Sequence, residues 1–147
     1  MKRVKRVYLD TSAYHRPYDD QNQAKIYQET QAVLRILELI ESRQLEAVNS
    51  DVLVFEIQQN PFPVKRKLIE LYLNQCTVKQ PINEVIRQRA KQLEYQGIKT
   101  MDALHVSSFE ISQSDYFITC DQRLLNRCKS LSINAINPID FIKELGT

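Results

Sequence analysis

Glycine is almost missing from this sequence, which contains only Gly97 and Gly146. Walker-type phosphate loops, dinucleotide-binding fingerprints and the nucleophile elbow of serine hydrolases all need glycines where the backbone turns sharply or approaches a phosphate. The sequence therefore excludes nucleotide-cofactor enzymes of those kinds and serine hydrolases of the elbow type.

Cysteine, histidine and long apolar runs are also scarce. The three cysteines have no C-x-x-C spacing, which argues against a disulfide framework and a structural zinc site, and two histidines exclude a histidine-rich metal site. No apolar run approaches the roughly 18 residues of a membrane span. The basic N-terminus is not followed by the apolar segment of a secretory signal. We therefore expect a cytoplasmic protein without a membrane partner.

Short β-like runs alternate with longer helical patterns over the 147 residues, which predicts a single α/β domain, 1–147, with a parallel sheet. The predicted strands are Val4–Leu9, Leu45–Val48, Cys76–Lys79, Tyr116–Thr119 and Ala135–Ile136. The predicted helices are Ala24–Arg43, one capped by Ser50 or Asp51 and ending near Asn60, Val64–Leu73, Asn83–Gln96, one capped by Thr100 and reaching Ile111, Gln122–Lys129 and Pro138–Leu145. Gly97 is predicted to end a helix in a left-handed conformation.

Four carboxylates lie at the ends of predicted strands or near the starts of helices: Asp10, Glu56, Asp102 and Asp121. The carboxyl ends of parallel strands form one edge of the sheet, so we expect these acids to converge there. Two carboxylates about 5 Å apart repel by about 3 kcal/mol at an effective dielectric constant of about 20. Mg²⁺ or Mn²⁺, which prefer oxygen ligands, would offset that repulsion. Singly, each acid could instead be a turn or helix cap, a helix-dipole partner or a surface residue.

Other polar residues could assist the acids. His105 follows Asp102 by three residues on the same helical face, where it could bind metal, relay protons or only pack. Ser12 and Asn137 could orient a ligand. The segment from Tyr14 to Gln23 is predicted as a polar loop whose Tyr14, His15, Arg16 and Tyr18 could contact RNA bases or phosphates, or could simply be exposed. Cys120, beside Asp121, could be a reactive thiol or a small buried residue.

Basic residues are clustered although the net charge is only +2. Such clusters permit contact with a phosphate backbone without requiring it. They are Lys2, Arg3, Lys5 and Arg6; Lys65, Arg66 and Lys67; Arg87, Arg89 and Lys91; and Arg123, Arg127 and Lys129.

The motifs YLDTSAY, VLVFEI, MDALHVSS, DYFITCDQRLL and INPIDFI, in this order, make the sequence resemble the PIN-domain family, in particular the VapC-type toxin ribonucleases. The resemblance places the family's metal-binding and catalytic acids on Asp10, Glu56, Asp102 and Asp121, and its accompanying hydroxyls on Ser12 and Thr119. Many relatives carry another acid two residues beyond the last Asp, where this chain has Arg123.

The resemblance implies a PIN-like three-layer fold with about five parallel strands flanked by helices. It also implies a Mg²⁺- or Mn²⁺-dependent endoribonuclease that leaves 5′-phosphate and 3′-hydroxyl ends, a homodimer, and an antitoxin partner in a type II toxin–antitoxin pair. Two other functions stay open. One is a non-catalytic binding or assembly module with the PIN fold. The other is a phosphatase or phospho-acceptor domain, which would need an acid at the position of Ser12.

Overall fold

A five-stranded parallel sheet forms the centre of the protein. The computed structural model describes residues 3–146, so Lys2 of the N-terminal basic cluster lies outside the described residues. The strands are β1 Arg6–Leu9, β2 Glu46–Ser50, β3 Val78–Gln80, β4 Tyr116–Ile118 and β5 Ala135–Ile136. Their order across the sheet is β3-β2-β1-β4-β5, and every pairing is parallel.

Helices pack around the sheet in a three-layer α/β arrangement, as the sequence predicts. Within residues 3–146 they are α1 Thr11–His15, α2 Ala24–Glu41, α3 Asp51–Gln58, α4 Pro63–Leu73, α5 Glu84–Tyr95, α6 Thr100–Ile111, α7 Gln122–Ser130 and α8 Pro138–Leu145. A 3₁₀ turn, Arg16–Tyr18, follows α1. None of the helices in this part of the chain has both the length and the apolar composition that a membrane crossing requires.

The central strand β1 supplies the middle of the core. Val7, Tyr8 and Leu9 are all fully buried, as expected for a strand with neighbours on both sides and helices on both faces. Val7 pairs with Ala47 of β2 and with Tyr116 of β4. The carboxyl ends of β1 and β4 therefore meet at one edge of the sheet, where Asp10 and Asp121 follow.

The segment after β1 differs from the predicted polar loop. Asp10 is the N-cap of the short helix α1, and Tyr14 in that helix is only 2% exposed, so Tyr14 is not available to contact RNA. The helix was missed because five residues are too few to show a helical period. Arg16, in the turn that follows, donates a hydrogen bond to the carboxylate of Asp19.

Most other predictions differ from the structure only at element ends. Strand β1 begins two residues later than predicted, β2 and β3 are shifted toward the C-terminus, and β4 ends at Ile118 rather than Thr119. Helix α2 ends at Glu41 because Arg43 has a positive φ of 66°, and α6 is capped by Lys99 rather than Thr100. Helices α3, α4, α5 and α7 differ from the prediction by one or two residues at an end. Gly97 follows α5 with φ 95°, which confirms its predicted conformation.

Candidate active site

Asp10 is held by three donors in the space between β1 and β4. One carboxylate oxygen, Oδ1, accepts hydrogen bonds from Ser12 Oγ at 2.6 Å and from the Ala13 N–H at 3.0 Å. The other, Oδ2, accepts one from Thr119 Oγ1 at 2.6 Å. Asp10 is 3% exposed, and burial raises its pKa even though the hydrogen bonds from Ser12 and Thr119 act in the opposite direction.

Ser12 and Thr119 also connect the two strand ends that carry the acids. Ser12 Oγ accepts a hydrogen bond from the Cys120 N–H at 3.0 Å, and Thr119 Oγ1 accepts one from the Asp121 N–H at 3.0 Å. Each hydroxyl thus donates to Asp10 and accepts from the backbone beyond β4. The two hydroxyls that the sequence analysis singled out therefore lie between the first and last acids.

Glu56 projects from α3 into a second hydrogen-bonded group. Its Oε1 accepts hydrogen bonds from Thr11 Oγ1 at 2.6 Å and from His105 Nε2. Half-burial raises the pKa of Glu56, but the bonds from His105 and Thr11 outweigh it and hold the pKa below its usual value. Because an ionised carboxylate can only accept, the shared proton is assigned to His105 Nε2.

His105 is 1% exposed and connects Glu56 to the core. Its Nδ1 lies 2.6 Å from the hydroxyl of Tyr8, which also lies 2.7 Å from Ser50 Oγ. Burial raises the pKa of Tyr8 well above its usual value, so the phenol stays protonated. The resulting chain, Ser50–Tyr8–His105–Glu56, fixes the side chain of His105. The sequence analysis missed Tyr8 and Ser50 because their pairing depends on the register of β1 beside β2.

Asp102 and Asp121 receive fewer hydrogen bonds than Asp10 and Glu56. No hydrogen bond within residues 3–146 reaches the Asp102 carboxylate, and burial together with the negative charge of Asp10 raises its pKa to about 6. Asp121 and Glu56 add to this repulsion, while His105 opposes it. Asp121 is exposed and caps α7, with Oδ1 accepting from the Leu124 N–H at 3.1 Å. Both acids line a cavity of about 560 Å³.

The chemistry of these donors fits a hard divalent cation, but their positions do not form a finished ligand shell. Within the described part of the chain, no three His, Cys, Asp or Glu side chains are close enough together to hold an ion. The Glu56 carboxylate is bonded to His105 and Thr11. After burial, the negative charges of the other three acids also raise the pKa of Asp102. No Lys or Arg within residues 3–146 forms an ion pair with any of the four acids.

Asn137 forms no hydrogen bond with any of the four acids within residues 3–146. It caps α8 by accepting from the Ile139 N–H at 2.8 Å, and it donates to Glu29, a carboxylate that is 1% exposed. Arg16 Nε lies 3.2 Å from Glu29 Oε1, an ion pair without hydrogen-bond alignment. Glu29 was missed by the sequence analysis. Glu29 could have been found in the sequence as a charged residue at the helical spacing of the buried residues of α2.

Cys120, which precedes Asp121, is buried. Burial raises the pKa of Cys120 to about 12, which favours the buried-residue interpretation over a reactive thiol.

His15 and Tyr18 line a second cavity of about 380 Å³, together with Glu56 and Phe62. Unlike Tyr14, these two residues line a cavity, and their contact with bases or phosphates stays a prediction.

Comparison with known proteins gives a match in fold. No protein-family model and no curated protein matches the chain. The crystal structure of FitAcB from Neisseria gonorrhoeae superposes with a TM-score of 0.61 at 15% identity, covering 90% of this chain and 97% of that chain. The crystal structure of PAE2754 from Pyrobaculum aerophilum superposes with a TM-score of 0.56 at 17% identity, covering 97% of this chain and 90% of that chain. The predicted PIN-like three-layer fold is confirmed, and the resemblance to PIN-domain proteins holds at the level of the fold.

Proposed function

We propose that the protein is a metal-dependent endoribonuclease that cleaves RNA phosphodiester bonds. The observation that carries the proposal is the Asp102 carboxylate, which lines a cavity with Asp121 and whose pKa is raised to about 6 by burial and by the negative charges of the other three acids. A partly buried carboxylate that other acids repel and that forms no ion pair with Lys or Arg destabilises a fold, which supports a functional role for Asp102. RNA as substrate and the product ends, 5′-phosphate and 3′-hydroxyl, come from the resemblance to VapC-type ribonucleases.

In this proposal Asp10, Glu56 and Asp102 hold a Mg²⁺ or Mn²⁺ ion, and Asp121 is a further ligand or orients the attacking water. The bound ion would supply an activated water and offset the charge on the phosphoryl oxygens. Ser12 and Thr119 keep the Asp10 carboxylate in one orientation, and Thr11 and His105 do the same for Glu56. Asp102, without such donors, is free to turn toward the ion.

The test is RNA cleavage by the parent and by Asp10→Asn with Mn²⁺ and with EDTA. Several kcal/mol of transition-state stabilisation come from a catalytic ion, so we expect Asp10→Asn to lower the Mn²⁺-stimulated rate by about 10²-fold or more. Asp140→Asn changes an exposed acid in α8 and should cleave like the parent. Parent-like cleavage by folded Asp10→Asn would show that the roles assigned here are wrong.

A homodimer, a cytoplasmic location and an antitoxin partner in a type II toxin–antitoxin pair complete the proposal. An exposed apolar stripe on α4, formed by Val64, Leu68 and Leu71 at helical spacing, supports the dimer. Sedimentation of the parent should give twice the monomer mass, and Leu71→Asp should shift the protein toward the monomer. A parent that sediments as a monomer at all concentrations would remove the dimer from the proposal.

The alternative is a non-catalytic PIN-fold binding module. It is favoured by one observation: within residues 3–146 no three potential ligands are positioned to hold an ion. The two functions differ in a simple outcome. A module would leave RNA intact with Mn²⁺ and would give the same result with EDTA, whereas the nuclease would cleave only without the chelator.

A further inference from the structure

Two arginines of α7 differ from the other arginines within residues 3–146. The side chains of Arg123 and Arg127 form no hydrogen bond and no ion pair with any described residue, and both are exposed. Each of the other arginines forms a hydrogen bond or an ion pair with a carboxylate or a carbonyl oxygen, Arg87 by an ion pair at 3.8 Å: Arg3, Arg6, Arg16, Arg35, Arg43, Arg66, Arg87 and Arg89.

Both unpartnered arginines line the cavity that contains Asp102 and Asp121. Lys99 lines it as well, so three cationic side chains and two acids share about 560 Å³. None of the three cations forms an ion pair with either acid. The cavity therefore contains two acids that could bind a cation and three cationic side chains that form no ion pair within residues 3–146.

The Arg127 guanidinium packs against Gly97. A Cβ atom added at Gly97 would be 3.1 Å from both Cζ and Nε of Arg127, so the planar group rests directly on the glycine backbone. Gly97 also has φ 95°, which a residue with a side chain rarely adopts. One of only two glycines in the sequence thus supports the position of an arginine that has no protein partner.

We propose that Arg123 and Arg127, with Lys99, bind a backbone phosphate of single-stranded RNA next to the bond that the acids act on. Guanidinium groups bind phosphate oxygens through paired N–H donors, and their charge is available because no carboxylate competes for it. Because Asp102 and Asp121 line the same cavity, a phosphate bound by these cations would lie close to the acids. The inference rests on the proposed function, since the acids define which bond is cleaved.

The test measures RNA binding in EDTA, where it does not depend on cleavage. Fluorescence anisotropy of a labelled uridine decamer is recorded at several KCl concentrations for the parent, for Arg123→Gln/Arg127→Gln and for the matched control Arg35→Gln/Arg87→Gln. The control removes the same charge from exposed arginines that already have carboxylate partners. Thermal unfolding of each protein verifies that it is folded.

We expect the α7 double variant to bind RNA about tenfold more weakly than the parent near 0.1 M salt. The slope of log K against log salt concentration should be shallower by about 0.7 for each phosphate that the variant no longer neutralises. The control should keep the parent's salt dependence. Equal affinities and equal salt-dependence slopes for the two double variants would overturn the proposal. The arginines would then be candidates for binding an acidic protein partner.

A second comparison isolates the role of Gly97. Gly97→Ala should shift the guanidinium and weaken RNA binding, though less than Arg127→Gln because the charge is kept, and should add little in the Arg127→Gln background. Arg127→Lys should recover part of the affinity because the charge is kept. Additive losses in the double variant would show that Gly97 acts independently of Arg127.

Failure of this inference and failure of the proposed function are distinguishable. Parent-like cleavage by Asp10→Asn would contradict the nuclease while leaving the EDTA binding result unaffected. Chelator-sensitive cleavage combined with equal binding by the two double variants would contradict only the phosphate site.

Discussion

The four acids at the edge of the sheet form two pairs that the protein treats in opposite ways. Asp10 and Glu56, the braced pair, accept short hydrogen bonds from hydroxyls, from a backbone N–H and from His105. Asp102 and Asp121, the open pair, receive between them a single backbone hydrogen bond within residues 3–146. Asp102 and Asp121, unlike Asp10 and Glu56, line the cavity that contains Arg123 and Arg127.

This difference separates two acids whose orientation the fold sets from two acids that it leaves almost without hydrogen-bond donors. The braced acids are stabilised by donors that belong to the fold, so their orientation is set before any ligand binds. The charge of Asp102 is instead opposed by burial and then by the neighbouring acids, and both effects raise its pKa. A cation bound between the pairs would benefit from the fixed orientation of one and relieve the repulsion in the other.

Thr119→Val should have the largest effect on stability and tests the braced pair. The substitution keeps the shape of a fully buried side chain but removes the donor to Asp10 and the acceptor of the Asp121 N–H. We expect the free energy of unfolding in EDTA to fall by about 1–3 kcal/mol, measured by urea denaturation. Thr77→Val, at an exposed position, is the control. Equal stability of the two variants would mean that Thr119 does not brace the acid.

Glu56→Gln should destabilise the protein by roughly 1–2 kcal/mol at neutral pH, because it removes a charged acceptor from a half-exposed position. The folded-state pKa of Glu56 is lowered from 4.5, so its contribution is present above that value and is lost as the pH falls through the folded-state pKa. Urea denaturation from pH 3 to 8 measures this, with the exposed Glu94→Gln as control. A constant difference at all pH values would contradict the assignment.

Asp102→Asn should change stability in the opposite direction to Glu56→Gln, by raising the free energy of unfolding. Because the folded-state pKa of Asp102 is raised from 3.8 to about 6, ionisation destabilises the fold as the pH rises through that range. In EDTA at pH 8 the variant should be more stable than the parent by about 1 kcal/mol, a value reduced from the full shift because the side chain is partly exposed. The gain should disappear below about pH 4. A destabilised variant would place Asp102 with the braced pair.

Hydrophobic pattern and strand order explain why much of this site could be predicted. Parallel strands end at one edge, so Asp10 and Asp121 had to lie near each other once β1 and β4 were recognised as strands. Helix α1 could not be recognised from a periodic pattern, and so the cap at Asp10 was assigned to a turn. The bonds of His105 to Tyr8 and Glu56, and the contact of Gly97 with Arg127, join residues distant in sequence. Only the packing of the folded chain determines them.

The most direct test of the central claim is the effect of Mn²⁺ on the unfolding of the parent and of Asp102→Asn. If the braced and open pairs hold one ion, Mn²⁺ at about 100 times its dissociation constant should stabilise the parent by about 2.7 kcal/mol. Asp140→Asn should respond like the parent, and Asp102→Asn should lose most of the shift, so that metal reverses the stability order seen in EDTA. An unresponsive parent, or equal stabilisation of Asp102→Asn, would contradict the account.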